Sequence, residues 1–512
     1  MMTSKHNNCL NAESNDDDDF LLPKMYSTID EVSRHLRCIT DTTTTASAAD
    51  TTKDSCDTSS SITAHELANN MPHLFLHFDV NETILLGDPA GGDSVHECVN
   101  KIIAKSAFVS TSGIHNQSGD DGDNLVNDST KPTIKRSPSS GNICDTHQFE
   151  PTHWWNGMSI DNDCSNNSTP PPPLYTGWTY PPNTCPYYRT RYKVHAKKFT
   201  SSLHGRVYRP LYDELCQKLG LKNCAHDNDD GSDVQQQQQP TSVFQNFLPA
   251  FWQTLMYYFP STKTELSNNE SAPSFVAAGL VETACRRLPP PPKVTLVLRT
   301  FGLDLPRVAV AISEFAKGNH PDYPNYSNED LILAEGDLYY SGWSYHNKNG
   351  NDAKEELVYS LHRANTNHEE KGKPVYSGDD DILNFLQSKS IVGIQDNYPF
   401  WRENNHAPWA GKPVWTNTRV HGHDHHHVLL DDNIHNDPSD GAGGIRVPVV
   451  VEKDGDGGSN NNYNRYESLH GEEALALHGR HLIRVPTIRP SLEDDWFIRQ
   501  IEMARWLELD EY

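Results

Sequence analysis

The stretch that decides the fold of this chain reads Met71-Pro-His-Leu-Phe-Leu-His-Phe-Asp79-Val-Asn81-Glu-Thr83-Ile-Leu-Leu-Gly-Asp88. A short apolar run ends in Asp79, and Asn81 and Thr83 follow at intervals of two residues. Such a run predicts a buried strand of a parallel sheet that delivers a carboxylate to the carboxyl edge of the sheet. Open α/β sheets bind ligands and carry out chemistry at that edge. A strand whose Asp caps a turn has the same pattern, so this stretch alone leaves both interpretations open.

Two later segments have the same form. Val294-Thr-Leu-Val-Leu-Arg-Thr300-Phe-Gly302 is a β-branched run that ends in a hydroxyl residue and a glycine. His427-Val-Leu-Leu-Asp431-Asp432 is a short apolar run that ends in paired carboxylates, and Lys412 lies between the two segments in Gly411-Lys412-Pro413. The chain therefore carries an Asp, a Thr, a Lys and an acidic pair in that order, three of them at predicted strand ends.

This order resembles the haloacid dehalogenase-like superfamily. Its motifs are a strand-end Asp-x-Asp-x-Thr loop, a strand-end Thr or Ser, a Lys, and a strand-end acidic pair. The resemblance implies an α/β fold with a Rossmann-like parallel sheet, helices on both of its faces, and a large, mostly helical cap inserted between the first and second motifs. It also implies that Asp79 attacks phosphorus as a nucleophile, that Thr300 binds a phosphoryl oxygen, and that Lys412 balances charge on both.

The same resemblance implies Mg²⁺ as the cofactor. Its ligands would be Asp79, the backbone carbonyl of Asn81, and one or both of Asp431 and Asp432. Mg²⁺ prefers few protein carboxylates plus waters in octahedral geometry. It would also neutralise the charge that keeps an anionic nucleophile away from a phosphate.

Asn81 departs from the motif, because typical phosphatases of the superfamily have an Asp there as a general acid. An amide cannot exchange a proton at neutral pH, and such a catalyst contributes about 10²–10⁴-fold to a rate. Superfamily members without this acid include carbon–halogen hydrolases, phosphonate hydrolases and ion pumps. Glu82 is a candidate replacement, although a surface residue is an equal interpretation. Asp396 follows another predicted strand, Ile391–Gln395, and is a candidate further acid lining the same cleft.

Three function classes stay open at this point. The first is a Mg²⁺-dependent hydrolase or phosphotransferase that acts on a small phosphorylated or otherwise activated substrate. The second is a catalytically silent relative that binds a phosphorylated ligand or a protein partner, and Asn81 favours it. The third is an unrelated α/β protein whose acidic strand ends are coincidental. It stays open because Lys412 is weakly spaced as a motif residue, beside a proline and next to a low-complexity loop.

Low-complexity segments predict how the chain is divided. Runs such as Pro170–Pro173 and Gln235–Gln239 hold too few apolar residues to offset the entropy of ordering, so we expect several disordered inserts. We expect a disordered tail at 1–70, the first core strand and its motif at 71–88, and a cap-like insertion at 89–292. The rest of the α/β core would follow at 293–450, a flexible linker at 451–466, and a C-terminal strand and helix that complete the core at 467–512.

Two basic or histidine-rich runs invite a binding interpretation. Arg189 and Arg191 lie among tyrosines, and as cap residues they would bind a phosphate or acidic substrate bidentately. A solvated basic face whose tyrosines pack on the core is the alternative. The run His421–His427 suits a transition metal by residue type, but its spacing is not that of a tetrahedral site, and it is predicted to be a flexible polar insert.

Composition limits the partners and the compartment. Asp plus Glu number 69 against 43 Lys plus Arg, a formal net charge of -26. So negative a chain repels nucleic acid and anionic membranes, which leaves a small anionic substrate bound at a local basic surface. The sequence has no apolar run of about 18 residues, as a membrane span requires, and no signal peptide pattern. Its ten cysteines form no CxxC pair, which favours a reducing compartment, with the cytoplasm or nucleus expected by default.

Overall fold

The computed structural model describes most of the predicted core. The described residues are 72–87, 92–110, 150–154, 157–160, 181, 183–188, 193–221, 242–262, 293–347, 355–364, 374–404, 407, 410–416, 425–434, 449–452, 466–469 and 476–509. They all belong to one unit, Thr63–Ala272 with Leu288–Tyr512. The predicted N-terminal tail and most of the predicted low-complexity inserts lie outside the described residues.

The regular elements alternate between strands and helices. The strands are β1 His73–Asp79, β2 Ala107–Ser110, β3 His153–Trp154, β4 Thr184–Pro186, β5 Val294–Thr300, β6 Leu338–Asn347, β7 Glu355–Arg363, β8 Tyr376–Ser377, β9 Ile391–Gln395, β10 Val414–Thr416, β11 His425–Asp431, β12 Val449–Glu452, β13 Tyr466–Leu469 and β14 Leu482–Arg484. The helices are α1 Val95–Ala104, α2 Lys193–Ala196, α3 Arg209–Lys218, α4 Pro249–Tyr258, α5 Leu305–Ala316, α6 Asp379–Gln387, α7 Tyr398–Glu403, α8 Ile488–Leu492 and α9 Trp496–Leu509. Short 3₁₀ turns occur at Phe199–Ser201, Gly205–Tyr208, Glu329–Leu331 and Glu335–Asp337.

An eight-stranded sheet forms the centre, in the order β14-β11-β1-β5-β9-β6-β7-β8. Every neighbouring pair from β14 to β6 is parallel, and β6, β7 and β8 pair antiparallel. The mixed α/β class with a mostly parallel sheet is therefore confirmed. Because β1 lies between β11 and β5, the three strands that carry the predicted motifs are direct neighbours.

The two faces of this sheet pack against different helices. Leu74, Leu76 and Phe78 of β1 lie in a cluster with residues of α4, α5 and α9, whereas Phe75 lies in a second cluster with residues of α6. All seven residues of β1 are buried. A strand covered on both faces reads as a continuous apolar run rather than an alternating one, which is why this stretch was recognisable from sequence.

Part of the segment assigned to the cap packs on the main sheet instead. The ring of Phe251 in α4 lies 5.6 Å from that of Phe78, in edge-to-face geometry. The backbone N–H of Leu248 also donates to the carbonyl of Ile84, directly after the first motif. Helix α4 begins only at Pro249, because proline at the first helical position lacks the N–H that an earlier start would need. Residues 247–259 therefore belong to the core of the sheet.

The rest of the described part of 89–292 forms a separate apolar cluster with a small antiparallel sheet, β3-β2-β4. The apolar residues Val95, Val99, Ile102 and Ile103 recur at helical spacing, and helix α1 carries them and ends at Ala104, whereas Phe108 lies in β2. The predicted linker 451–466 also overlaps two strands at its ends, since β12 and β13 pair with each other beside β10. Of the helices in the described ranges, none combines the length and apolarity needed to cross a bilayer.

The prediction of a flexible polar insert at His421–His427 was wrong for its last three residues. His425, His426 and His427 are the buried first residues of β11. The ring of His427 stacks on Phe75 at 4.3 Å, and its Nδ1 lies 2.9 Å from Nε2 of His77. Burial lowers the pKa of His427 well below its ordinary value, so the neutral imidazole packs like an aromatic ring. Residues 421–424 lie outside the described residues.

Candidate active site

The carboxyl edge of β11, β1 and β5 collects three of the predicted residues. Asp79, Thr300 and Asp431 are the last residues of their strands, and all three are buried. Asp79 is in register with Arg299, so Thr300 lies one residue further along the neighbouring strand. The parallel order of the strands is what brings these side chains, far apart in sequence, to one edge of the sheet.

Lys412 joins two of the carboxylates. Its Nζ donates to Oδ1 of Asp79 at 2.5 Å and to Oδ2 of Asp431 at 2.7 Å. Burial alone would lower the pKa of Lys412, but the two carboxylates outweigh it and raise the pKa above its ordinary value. The ammonium group is therefore charged, and it also lies 5.1 Å from the ring centroid of Phe301.

Three acidic side chains form a group that fits a metal ion. One oxygen each of Asp79, Asp431 and Asp432 lie within 4.8 Å of one another, and all three residues are buried. Burial raises the pKa of Asp79 well above its ordinary value, Lys412 opposes this, and the two other aspartates add to it. Burial also raises the pKa of Asp432 to about 6 against the effect of Lys105. Carboxylates crowded in this way gain from a further positive charge.

Neighbouring backbone and hydroxyl groups orient these carboxylates. Thr83 donates through Oγ1 to Oδ2 of Asp79 at 3.4 Å and accepts from the backbone N–H of Asp432 at 3.2 Å. The backbone N–H of Asn433 donates to Oδ1 of Asp431 at 2.7 Å. Thr83, the threonine of the first motif, thus ties the end of β1 to the loop after β11.

Asn81 lies beside the Thr300 loop. Its Nδ2 donates to Oδ2 of Asp304 at 3.1 Å, and its buried Oδ1 has no hydrogen-bond partner among the described residues. A Cβ at Gly302 would lie 2.9 Å from Nδ2 of Asn81 and 2.8 Å from Oδ2 of Asp304. The backbone N–H of Gly302 donates to Oγ1 of Thr300 at 2.8 Å. Any larger residue here would have to displace these two side chains. Asp304 is a site residue that the sequence did not reveal because it reads as an ordinary helix N-cap.

Glu82 is neither a surface residue nor a proton donor. It is buried, and its carboxylate pairs with Lys101 and, at 3.1 Å, with Lys105. Burial raises the pKa of Glu82, but Lys105 and Lys101 outweigh it and lower the pKa to about 2. Glu82 is therefore ionised at neutral pH. This corrects the expectation that it replaces the missing general acid.

Helix α1 and its C-cap residue supply the two lysines of this network, Lys101 and Lys105, which the sequence did not single out. A capping box of Ser94 and Glu97 starts the helix. Lys101 and Lys105 follow four residues apart, so they lie on one helical face. Lys105 also donates to Oδ2 of Asp432 at 2.8 Å. The helix after the first motif thus contacts the acidic group directly, and the only sequence signal for it is this four-residue spacing.

Asp396 does not offer its carboxylate to the cleft. Arg299 binds it bidentately, with Nε to Oδ2 at 2.9 Å and Nη2 to Oδ1 at 2.5 Å, and both side chains are fully buried. Nη1 of Arg299 donates to the carbonyl of Pro413 at 3.0 Å. The pair links β5, β9 and the loop that carries Lys412, so its role is to position that loop.

The predicted substrate-binding residues Arg189 and Arg191 lie outside the described residues. Tyr188, just before them, has its ring centroid 5.4 Å from Nζ of Lys105. The chain that leads to the two arginines therefore passes beside the acidic group.

No protein-family model, no curated protein and no solved structure matches this chain. The fold and the site together define a class in geometric terms: an α/β protein with a buried carboxylate and lysine group at the carboxyl edge of its parallel strands.

Proposed function

We propose that the protein is a Mg²⁺-dependent hydrolase or phosphotransferase of the haloacid dehalogenase-like type, with a Rossmann-like core and an aspartate nucleophile. Its substrate is small and phosphorylated or otherwise activated. The observation that carries this proposal is the bridge formed by Lys412 between Asp79 and Asp431, since Lys412 and Asp79 are 333 positions apart in sequence. The bridge joins three motifs that stand in the expected order, and Thr300 ends the neighbouring strand, so coincidental strand ends are a poor explanation.

The donor set fits Mg²⁺. Asp79, Asp431 and Asp432 offer only oxygen atoms within 4.8 Å of one another, and the unpartnered Oδ1 of Asn81 adds a further oxygen at the same edge. When bound, Mg²⁺ would neutralise charge between a carboxylate nucleophile and an anionic substrate. The residue expected to contribute a backbone carbonyl, Asn81, can do so whatever its side chain.

The remaining residues divide the work of binding and positioning. Lys412 opposes the effect of burial on Asp79, favours its carboxylate form and balances the charge of the substrate. Since Oγ1 of Thr300 already accepts from Gly302, its own O–H is the group that donates to a phosphoryl oxygen. Asp79 would attack phosphorus and expel the leaving group, which gives a covalent aspartyl phosphate. Water then attacks this phosphoryl group, releases inorganic phosphate and restores the carboxylate.

The supply of a proton limits the substrate. Asn81 cannot exchange one, and Glu82 is held ionised by two lysines. Asp304, which accepts from Nδ2 of Asn81, is the carboxylate nearest to that position among the described contacts. We therefore expect substrates whose leaving group departs without protonation, such as acyl and activated aryl phosphates.

The test compares substitutions at two neighbouring positions. Asp79→Asn should eliminate turnover of acetyl phosphate and activated aryl phosphates with Mg²⁺, because the nucleophile is gone. Asn81→Asp should raise turnover of alkyl phosphates by about 10-fold or more, because it restores a general acid. Activated substrates should gain much less. Asp337→Asn, a half-exposed carboxylate paired with Lys389, is the matched control and should leave turnover unchanged.

The second candidate is a silent relative that binds a phosphorylated ligand or a protein partner. The observation that favours it is that neither Asn81 nor its neighbour Glu82 can donate a proton. If wild type and Asn81→Asp both stay at background on a broad phosphate panel, the binding function replaces the enzymatic one.

A further inference from the structure

Three buried side chains converge at the amino-terminal end of β11, away from Asp431. They are His426 in β11, His481 just before β14, and Glu508 in the last turn of α9, with exposed fractions of 1%, 1% and 4%. One ligand atom of each lies within 4.8 Å of the other two. Five residues of strand separate His426 from Asp431, a distance of roughly 16 Å at 3.2–3.4 Å per residue. The group is therefore distinct from the candidate active site.

Hydrogen bonds to the main chain orient both imidazoles. Nε2 of His426 donates to the carbonyl of Arg480 at 3.0 Å, and Nδ1 of His481 donates to the carbonyl of His427 at 2.8 Å. Because a carbonyl only accepts, these ring nitrogens carry the hydrogens. In a neutral ring the opposite nitrogen then presents a lone pair. Metal-binding histidines are held in this way, with the second ring N–H donated to a carbonyl or a carboxylate.

The third member is a carboxylate that faces one of these lone pairs. Oε2 of Glu508 lies 3.5 Å from Nε2 of His481. Two acceptors at this separation repel each other unless a proton or a cation lies between them. Arg480 donates to the same carboxylate, which holds it in place and balances its charge.

The types of ligand decide which cation fits. Mg²⁺ and Ca²⁺ require mostly oxygen donors, whereas two imidazoles with one carboxylate are a ligand set of Zn²⁺. We propose that His426, His481 and Glu508 bind one Zn²⁺ ion that fastens helix α9 to strand β11 and to the chain entering β14. A water molecule completes the coordination. A site this deeply buried is loaded as the chain folds, so the metal contributes to folding stability.

The test measures metal in the untagged full-length protein. Wild type produced with Zn²⁺ should retain one Zn²⁺ per chain after dialysis, determined by mass spectrometry of metal content. Removing it with a strong chelator should lower the unfolding temperature, and adding Zn²⁺ back should restore that temperature. The double variant His426→Gln/His481→Gln should lose stoichiometric Zn²⁺. His478→Gln, a partly buried histidine three residues before His481, is the matched control and should keep it.

Two outcomes overturn the proposal. One is a wild type that holds no Zn²⁺ and shows no thermal shift with Zn²⁺, which would mean that a proton lies between His481 and Glu508. The other is a double variant that binds Zn²⁺ as wild type does, because the metal then lies elsewhere. If the double variant does not fold, the visible absorption spectrum of wild type loaded with Co²⁺ tests the site instead. An intense visible absorption band of tetrahedral Co²⁺ supports the site, and its absence contradicts it.

Discussion

Lys412 carries the positive charge that two buried carboxylates share at the proposed active site. Its Nζ contacts Asp79 and Asp431, and the lysine itself is 3% exposed. Breaking a buried ion pair by removing one partner leaves an uncompensated charge and costs about 3–5 kcal/mol. The stability of the metal-free protein should therefore depend on this side chain.

We expect Lys412→Met to lower the free energy of unfolding of the metal-free protein by about 3–5 kcal/mol, measured by urea unfolding in a chelator. Mg²⁺ should recover more stability in this variant than in wild type, because the ion then replaces the positive charge that Asp79 and Asp431 have lost. Lys389→Met removes a half-exposed pair with Asp337 and should cost at most about 1 kcal/mol. A Lys412→Met protein as stable as this control would show that the bridge is not needed.

Some site residues were predictable from sequence and others were not. The sequence predicted the three strand-end residues Asp79, Thr300 and Asp431, because each ends an apolar run and the carboxyl ends of parallel strands lie at one edge of the sheet. Asp304 was not predicted, since only its contact with Asn81, 223 positions away, distinguishes it from an ordinary helix cap. Lys105, which reaches Asp432 across 327 positions, was missed for the same reason. Pairings over such separations are decided by packing and leave no local pattern.

At the scale of elements, β1 and β11 both bury imidazoles, and those of β11 lie where a polar insert was expected. His73 in β1 lies with Nε2 2.9 Å from Oγ1 of Thr295, and its ring stacks on Phe75 at 4.1 Å. Burial, with smaller contributions from Lys293 and His425, lowers the pKa of His73 to about 3. A histidine with one hydrogen bond and a stacking partner is tolerated in a strand as long as it stays neutral. Composition alone cannot distinguish it from a histidine in a solvated loop.

The free energy of unfolding should fall as the pH falls below the ordinary histidine pKa of 6.5, because His73 keeps a pKa of about 3 in the folded protein. Between those two values the unfolded chain binds more protons than the folded one, so acid favours unfolding. Urea unfolding at several pH values across this window should give a shallower dependence for His73→Gln than for wild type. The exposed His195→Gln should follow the wild-type curve. An unchanged slope in His73→Gln would contradict this account of β1.

At the scale of the whole molecule, the order of the motifs along the chain predicted the parallel part of the sheet. Strands and helices that alternate over 294–395 form parallel neighbours through crossover connections. The antiparallel hairpin of β6 and β7 was not recognised, and α4 was assigned to the cap although it packs on β1. The pairing of β6 with β7 and the packing of α4 on β1 both depend on which apolar surfaces contact each other. Apolar periodicity identifies a buried face but does not identify the element that covers it.

The buried pair of Arg299 and Asp396 shows how the sheet supports the site. It spans β5 and β9 and holds the carbonyl of Pro413, the residue after Lys412. The sheet therefore sets the position of the lysine as well as those of the aspartates. Strand ends and one braced loop therefore hold Asp79, Asp431 and Lys412 in fixed relative positions.

The central claim is that Asp79 is a nucleophile at a Mg²⁺ site, and trapping the covalent intermediate tests it most directly. The protein is incubated with acetyl phosphate and Mg²⁺ and reduced with borohydride, and its peptides are then mapped by mass spectrometry. We predict reduction of a phosphorylated carboxyl at Asp79, absent without Mg²⁺ and absent in the double variant Asp431→Asn/Asp432→Asn. No adduct on wild type, or an adduct at another carboxylate that forms equally well without Mg²⁺, would contradict the account.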